Sequence, residues 1–254
     1  MRIDHLSVSR TQCFDLCQQQ YKYRYHLKVI PDKPEQIYFM YGKLVHKAAE
    51  MYVEEKGKRP IQEIGKLLLN GEIPFEGTNN LARLTTEYHN KFWNHLANIQ
   101  KLTEKVGFDG EIEYKIEYDL DSPNKKILLG FIDRLIIKNN TALIIDYKTS
   151  KDNAWRKNKQ TIKQDLQMNA YAFVVHDQFG IPPENIHAAL YYLEGGKIVS
   201  TNFSLENLMK HKETLRKTFL KIEQLHENQA SANVGNHCNR CDYSEICPFF
   251  RREF

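Results

Sequence analysis

The chain has 254 residues, with 36 Lys and Arg against 32 Asp and Glu for a net charge of +4. That length supports one generous domain or a core with an elaborating subdomain, and 41% hydrophobic with 27% charged residues describes a soluble globular protein rather than a disordered, repetitive or membrane-spanning one. The mild basic excess identifies no nucleic-acid binder by itself, and Met1-Arg2-Ile3-Asp4-His5 carries charges where a secretory signal needs an apolar run, so a cytoplasmic location is expected.

Ser7 or Ser9 can cap a first helix running to about Lys28, where Pro31 and Pro34 stop it. A second helix is predicted from about Tyr38 to Glu55, with Tyr41, Leu44, Val45, Ala48, Ala49 and Tyr52 at helical spacing. Gly57 and Pro60 break it, and further helices are expected over about 61–69 and 79–103. After Gly107 the period becomes alternating: a strand over 111–118, a turn at Asp121-Ser122-Pro123-Asn124, then strands over about 126–138 and 141–148 joined through Lys138-Asn139-Asn140. A helix near 161–178, a strand near 185–193, a Gly195-Gly196 hairpin, a short strand to Thr201 and a last helix from Ser204 to about His226 complete the order. Strands interleaved with helices indicate an α/β fold, a mixed sheet core flanked by helices.

Chemistry concentrates in Gly130-Phe131-Ile132-Asp133-Arg134 and Leu143-Ile144-Ile145-Asp146-Tyr147-Lys148-Thr149. Asp146 and Lys148 lie two apart and share a strand face. A hairpin brings Asp133 to that face near the sheet edge, a grouping of two carboxylates and an amine that suits a divalent cation and a water. Taken alone, Asp-x-Lys reads more readily as a solvated strand end, and its context is what points to chemistry. His46 and Glu50 lie one turn apart on the second helix, and imidazole is an ordinary transition-metal ligand. Glu111, Glu113 and Glu117 read as one polar strand face. Gln164, Gln167 and Tyr171 recur at helical spacing. Two basic and aromatic runs, residues 21–28 and Lys148, Lys151, Trp155, Arg156, Lys157, Lys159 and Lys163, can meet phosphates and bases or simply face water.

The order Gly42-x-x-Val45-His46, Gly130-Phe131-Ile132-Asp133-Arg134, Asp146-Tyr147-Lys148-Thr149 and Gln167-x-x-x-Tyr171 resembles the RecB-like branch of the PD-(D/E)XK nuclease superfamily. Asp146 stands where many relatives carry Glu. The resemblance implies a restriction-endonuclease-like fold in which His46, Asp133, Asp146 and the carbonyl of Tyr147 hold Mg2+ or Mn2+. It further implies that Lys148 acts with Asp133 and Asp146 in catalysis and that Gln167 and Tyr171 touch DNA. Glu50 is placed for an outer contact, and Arg134 for a buried acid or a phosphate.

The five cysteines, Cys13, Cys17, Cys238, Cys241 and Cys247, all lie near the termini. Cys238, Cys241 and Cys247 fall one thiol short of a zinc or iron-sulfur site, and Cys13 or Cys17, one helical turn apart, can complete it. A cytosolic chain disfavours disulfides, and Cys-x-x-Cys is equally a zinc signature. The resemblance extends to iron-sulfur members such as AddB and CRISPR-associated exonucleases. It implies a [4Fe-4S] cluster on Cys17, Cys238, Cys241 and Cys247, with Zn2+ as the alternative.

The expectation is therefore one nuclease domain over 1–254: a helical part over 1–105 that includes the His46 helix, a catalytic sheet core over 106–202, and a C-terminal helix and iron-sulfur tail over 203–254. Its expected activity is metal-dependent hydrolysis of DNA, as an exonuclease on single-stranded or resected ends in recombination, repair, phage replication or CRISPR adaptation. The alternatives are a non-catalytic DNA- or partner-binding scaffold and a sequence-specific endonuclease. No Walker-type phosphate loop occurs, so an unwinding motor would be a helicase or another recombination or CRISPR partner. No membrane association is expected.

Overall fold

The computed structural model describes residues 1, 3–31, 35–121, 124–150 and 156–250. Pro34, Ser122 and Pro123 of the expected stops and turn, and Lys151 and Trp155 of the second basic run, lie outside the described residues. The chain divides into two compact units, one of residues 1–34, 116–130 and 209–254, the other of residues 35–115 and 131–208.

Five strands form a mixed sheet in the order β1 (Glu111–Asp119), β2 (Ile127–Lys138), β3 (Thr141–Lys148), β4 (Ile186–Tyr192) and β5 (Lys197–Asn202). β2 and β3 are antiparallel, joined by Asn139 and Asn140 at φ 50° and 57°, the left-handed pair that a two-residue hairpin requires. β3 and β4 are parallel, as the intervening helix α6 (Leu166–Phe179) allows, and β4 turns back antiparallel into β5. β4 is buried along almost its whole length, the pattern of an interior strand.

In the second unit, α3 (Ile37–Glu54), α4 (Ile61–Leu69) and α5 (Thr86–Val106) pack together. α3 buries Tyr41, Leu44, Val45, Ala48, Ala49 and Tyr52 against Ile64, Leu68, Phe92 and Leu96, and against Ile145 and Tyr147 of β3. Tyr41 Oη and His95 Nδ1 hydrogen-bond at 2.8 Å, fixing α3 to α5 within this apolar mass. The rest of α3, from Tyr38 and Phe39 through Gly42, Lys43, His46, Lys47 and Glu50, stays on the open side.

Two helices are shorter than expected. The predicted helix over 79–103 is a 3-10 segment, Thr78–Arg83, followed by α5, because Thr85 adopts extended angles between them. The predicted first helix is broken in the first unit: α1 (Val8–Leu16), capped by Ser7 Oγ, ends at Cys17, which is extended at φ −162° and ψ 111°. A short helix α2 (Gln18–Tyr21) and a π-turn Lys22–His26 follow. Cys13 and Cys17 therefore do not share a continuous helical face.

In the same unit Leu6 bridges Leu128, and the helix α7 (Leu205–Gln224) receives the N-terminal ammonium on the carbonyls of Ile222 and Leu225. The 21–28 run is engaged within the protein: Arg24 pairs with Asp242 at 3.2 Å, His26 with Glu227 at 3.2 Å, and Tyr23 stacks near Tyr243. Arg24 and His26 are thus tied within the protein, while Lys28 is exposed. No helix among the described residues is long and apolar enough to cross a membrane.

Gly110, at φ 99°, starts β1 so close to β2 that a Cβ there would stand 2.4 Å from the carbonyl oxygen of Leu135. Gly110→Ala is expected to destabilise the protein by about 3 kcal/mol through backbone strain and overpacking, measured by denaturant unfolding. An unchanged midpoint would contradict this reading of the β1 entry.

Candidate metal centre and active site

The ladder between β2 and β3 runs from Lys138↔Thr141 to Arg134↔Ile145 and then stops. Beyond it the Tyr147 N–H donates not to a main-chain carbonyl but to Asp133 Oδ2, at 2.6 Å. Side-chain substitution for a ladder bond lets the strands part, and the acid that bridges them is left at the head of the gap. These are interior strands of the sheet, so the acidic pair sits at a strand-end fork and not at the sheet edge expected from the sequence.

His46, carried into the fork by α3, donates Nε2–H to the carbonyl of Tyr147 at 3.1 Å. Its Nδ1 faces Asp133 Oδ1 at 3.5 Å and Glu113 Oε1 at 3.8 Å. His46, Glu113 and Asp133 each offer a ligand atom, all within 4.8 Å of one another. Of the three acids read as one polar strand face, Glu113 is the one the structure brings to His46. At φ 48° it is left-handed inside β1, which breaks the polar face shared with Glu111 and turns its carboxylate toward His46. A left-handed non-glycine residue in a strand is unusual enough to mark a functional position, but φ is not readable from residue type.

Asp146 and Lys148 occupy the face of β3 opposite Ile145 and Tyr147, and pair at 2.7 Å between Oδ2 and Nζ. Asp146 Oδ2 is fully buried and accepts no aligned hydrogen bond, an acceptor with capacity left for a cation. Lys148 Nζ also donates to Gln167 Oε1 at 3.2 Å, and Gln167 Nε2 donates to Tyr171 Oη at 3.1 Å. Gln167 thus contacts Lys148 from α6 and Tyr171 supports Gln167 from behind, and Tyr171 is only 6% exposed. Burial pushes its phenol up to about 12, although Gln167 opposes the shift, and it stays protonated near neutrality.

The remaining candidates go elsewhere. Glu50 pairs with Lys47 at 2.8 Å. Arg134 is completely buried and donates through Nη2 to the carbonyls of Gly107 and, at 3.1 Å, Asp109. It fixes the approach to β1 and is remote in role from any phosphate. In the second basic run, Lys157 lies 3.5 Å from Asp165 and Arg156 stacks on Tyr192.

The electrostatics of the fork are those of packed acids awaiting positive charge. Burial pulls the His46 imidazole down, but Asp133, Glu113 and Asp146 outweigh it and hold it up at about 9. Burial raises Asp133 above the carboxylate range despite His46 and the Tyr147 N–H, with Asp146 adding to the rise. Burial likewise pulls Lys148 down, and Asp146 and Asp133 more than reverse it. A protonated imidazole here does part of what a divalent ion would do. The set of one imidazole, carboxylates and a carbonyl fits Mn2+ or Mg2+.

In the first unit, Cys17, Cys238, Cys241 and Cys247 line one small cavity, together with Tyr23, His237 and Tyr243. Cys13 is buried and does not line it. The break in the helix at Cys17 leaves that residue on the wall it shares with the C-terminal trio. Cys238 Sγ accepts from the Gly235 N–H at 3.5 Å, and Gln19 N–H donates to the Ser231 carbonyl at 3.0 Å.

The sequence profile of the PD-(D/E)XK nuclease superfamily matches residues 5–248. No curated protein matches the chain significantly. Among solved structures, a candidate exonuclease from Eubacterium rectale superimposes with a TM-score of 0.56 at 12% identity, covering 99% of this chain and 91% of that one. That likeness supports the fold alone. The protein SSO0001 aligns over 91% of this chain and 94% of its own at 18% identity, but its TM-score of 0.40 carries no argument.

Because His46 and Asp133 both bind protons more tightly when folded, their contribution to stability is present at low pH. The Asp133 part is lost as pH rises from the ordinary carboxylate value of 3.8 through about 7, and the His46 part as it rises from the ordinary imidazole value of 6.5 through about 9. With metal removed by chelator, the unfolding temperature is expected to fall across these windows, and less steeply in Asp133→Asn. Calorimetry from pH 5 to pH 9.5 checks this, and a flat or rising profile in the parent protein would refute it.

Proposed function

The chain belongs to the PD-(D/E)XK nuclease superfamily, and we propose that it is a divalent-metal-dependent deoxyribonuclease acting as an exonuclease on single-stranded or resected DNA ends. The observation that carries this reading is the convergence of His46, Glu113 and Asp133 within 4.8 Å beside the Asp146–Lys148 pair at one strand fork. A pseudo-nuclease scaffold has no need to keep an acidic cluster, a buried carboxylate and a lysine fixed against it together.

His46, Glu113, Asp133, Asp146 and the carbonyl of Tyr147 would hold the cation. When bound, it supplies a Lewis acid for the phosphate and lowers the pKa of a water. The protein's own residues do the rest by preorganisation. Asp133 is fixed by the Tyr147 N–H. Lys148, held by Asp146 and Gln167, presents an ammonium where negative charge gathers on phosphoryl oxygen or on the attacking water. Gln167 and Tyr171 position Lys148 and border the substrate. A role in recombination, repair or CRISPR adaptation, with a helicase or similar partner, fits an enzyme that processes ends.

The second part of the proposal is a [4Fe-4S] cluster on Cys17, Cys238, Cys241 and Cys247. Its support is the common cavity and the helix break that leaves Cys17 on its wall. Such a cluster adds metal-binding energy to the hydrogen bonds that join the two terminal segments, and a reducing cytosol would preserve its thiolates.

End-labelled linear and closed circular DNA, single- and double-stranded, incubated with Mg2+ or Mn2+, tests the activity. Parent protein is expected to degrade linear DNA, while Lys148→Ala loses about 10²–10³-fold in rate with folding and DNA binding retained. Equal cleavage of closed circles would remove the exonuclease claim, and full activity in Lys148→Ala would remove the mechanism. Anaerobically purified protein is expected to absorb in the visible and carry about four iron atoms per chain, with Cys241→Ala losing the iron and unfolding at lower temperature. Stoichiometric zinc without iron would establish the alternative.

A further inference from the structure

α3 has two faces, and the open one is ordered along its length in a way the metal centre does not require. Tyr38 and Phe39, at its start, are 52% and 48% exposed with ring centroids 4.4 Å apart. One and two turns on come Lys43 and Lys47, and between them, at the fork, His46. Gly42, Lys43, His46 and Lys47 line a groove of about 500 Å³ whose other wall includes Phe75 and Glu113. The groove therefore opens directly on two of the metal-centre residues.

Resting on the nuclease reading, we propose that this face of α3 is a stacking track for single-stranded DNA, which delivers an unpaired strand to the metal centre. The chemistry selects that substrate on three grounds. Half-exposed aromatic rings accept unpaired base faces, which a duplex keeps stacked except at its ends. Lys43, one turn beyond Phe39 on the same side of the helix, matches a phosphate backbone. The groove volume suits one or two nucleotides and is far too small for a double helix. From Phe39 to His46 is about 10 Å of helix rise, the length of roughly three stacked nucleotides, so a base on the rings and a phosphate at the fork belong to one short strand.

Acids share the track. Lys43 is held by Glu35 at 2.8 Å and Glu76 at 2.6 Å, and Lys47 by Glu50 at 2.8 Å. Glu76 is 85% exposed, and an ion pair so open to water is weak enough for a phosphate to replace it. The acids also suppress loose binding of any polyanion, leaving base stacking to select the strand.

The test measures binding by fluorescence anisotropy in EDTA, where nothing is cut, using a fluorescein-labelled thymidine oligonucleotide of about 20 nucleotides and a blunt duplex of equal length. Tyr38→Ala/Phe39→Ala is expected to bind the single strand at least about tenfold more weakly with duplex affinity nearly unchanged. Lys43→Ala should reduce the slope of log affinity against log salt by about 1, which keeps the proposal testable if the double variant folds poorly. Single-strand affinity within about twofold of the parent in both variants overturns the proposal, as does altered sedimentation of the DNA-free double variant, which would make the rings a contact between copies. If the parent cleaves DNA with Mn2+ but the aromatic variant binds as it does, the track fails and the nuclease reading stands. If the parent neither binds nor cleaves DNA, both fail.

Discussion

Tyr147 is held through both of its main-chain groups, its N–H by the Asp133 carboxylate and its carbonyl by the His46 imidazole, and the centre depends on that grip. A residue inside a sheet normally spends both groups on a neighbouring strand. Here side chains take them at the point where the ladder between β2 and β3 ends, so the main chain remains satisfied while the strands open. An acid, an imidazole and a carbonyl are brought together without leaving a buried polar backbone group unmatched, and the Tyr147 ring anchors the other side of the strand in the apolar contact with α3 and α5.

That arrangement explains how acids can crowd in a folded protein at all. Like charges in a partly dry fork raise one another's proton affinity, and the structure meets the cost with protons on His46 and an ammonium on Lys148, which are the charges a divalent ion would relieve or join. The supports are rigid elements: α3 by its packed stripe, β3 by its place between β2 and β4, and α6 by Asp165, whose side chain accepts the Met168 N–H. Groups mounted this way hold their geometry better than groups on loops.

Much of this was legible in the sequence because it is carried by residue type and period. The alternating strands, the α3 stripe, the Asn139-Asn140 turn and the spacing of Asp146 and Lys148 all follow from side-chain chemistry acting locally. Glu113 did not, since its inclusion depends on one left-handed backbone angle that turns it out of a regular polar face. Cys17 differs similarly: its residue type was informative, but the extended angles that end α1 there are set by packing. In the 21–28 run composition records charge without recording partners: Asp242 and Glu227, which pair Arg24 and His26, lie more than 200 residues away in sequence. Gln167 and Tyr171 were found by spacing, yet only the fold reveals that Gln167 bonds Lys148 and Tyr171 bonds Gln167.

The two-residue turn at Asn139 and Asn140 has a consequence for how this chain can vary. It lies at the far end of the hairpin from the fork and touches no reacting group, so surface exposure alone would mark it as free to lengthen. Side chains alternate faces with every residue, however, and a single insertion there would slip β2 past β3 by one step, sending Asp133 to the side of the sheet opposite Asp146. The loop behaves as a ruler: its composition can drift among residues that tolerate left-handed angles, but its length is tied to the spacing of the acids at the other end of the hairpin.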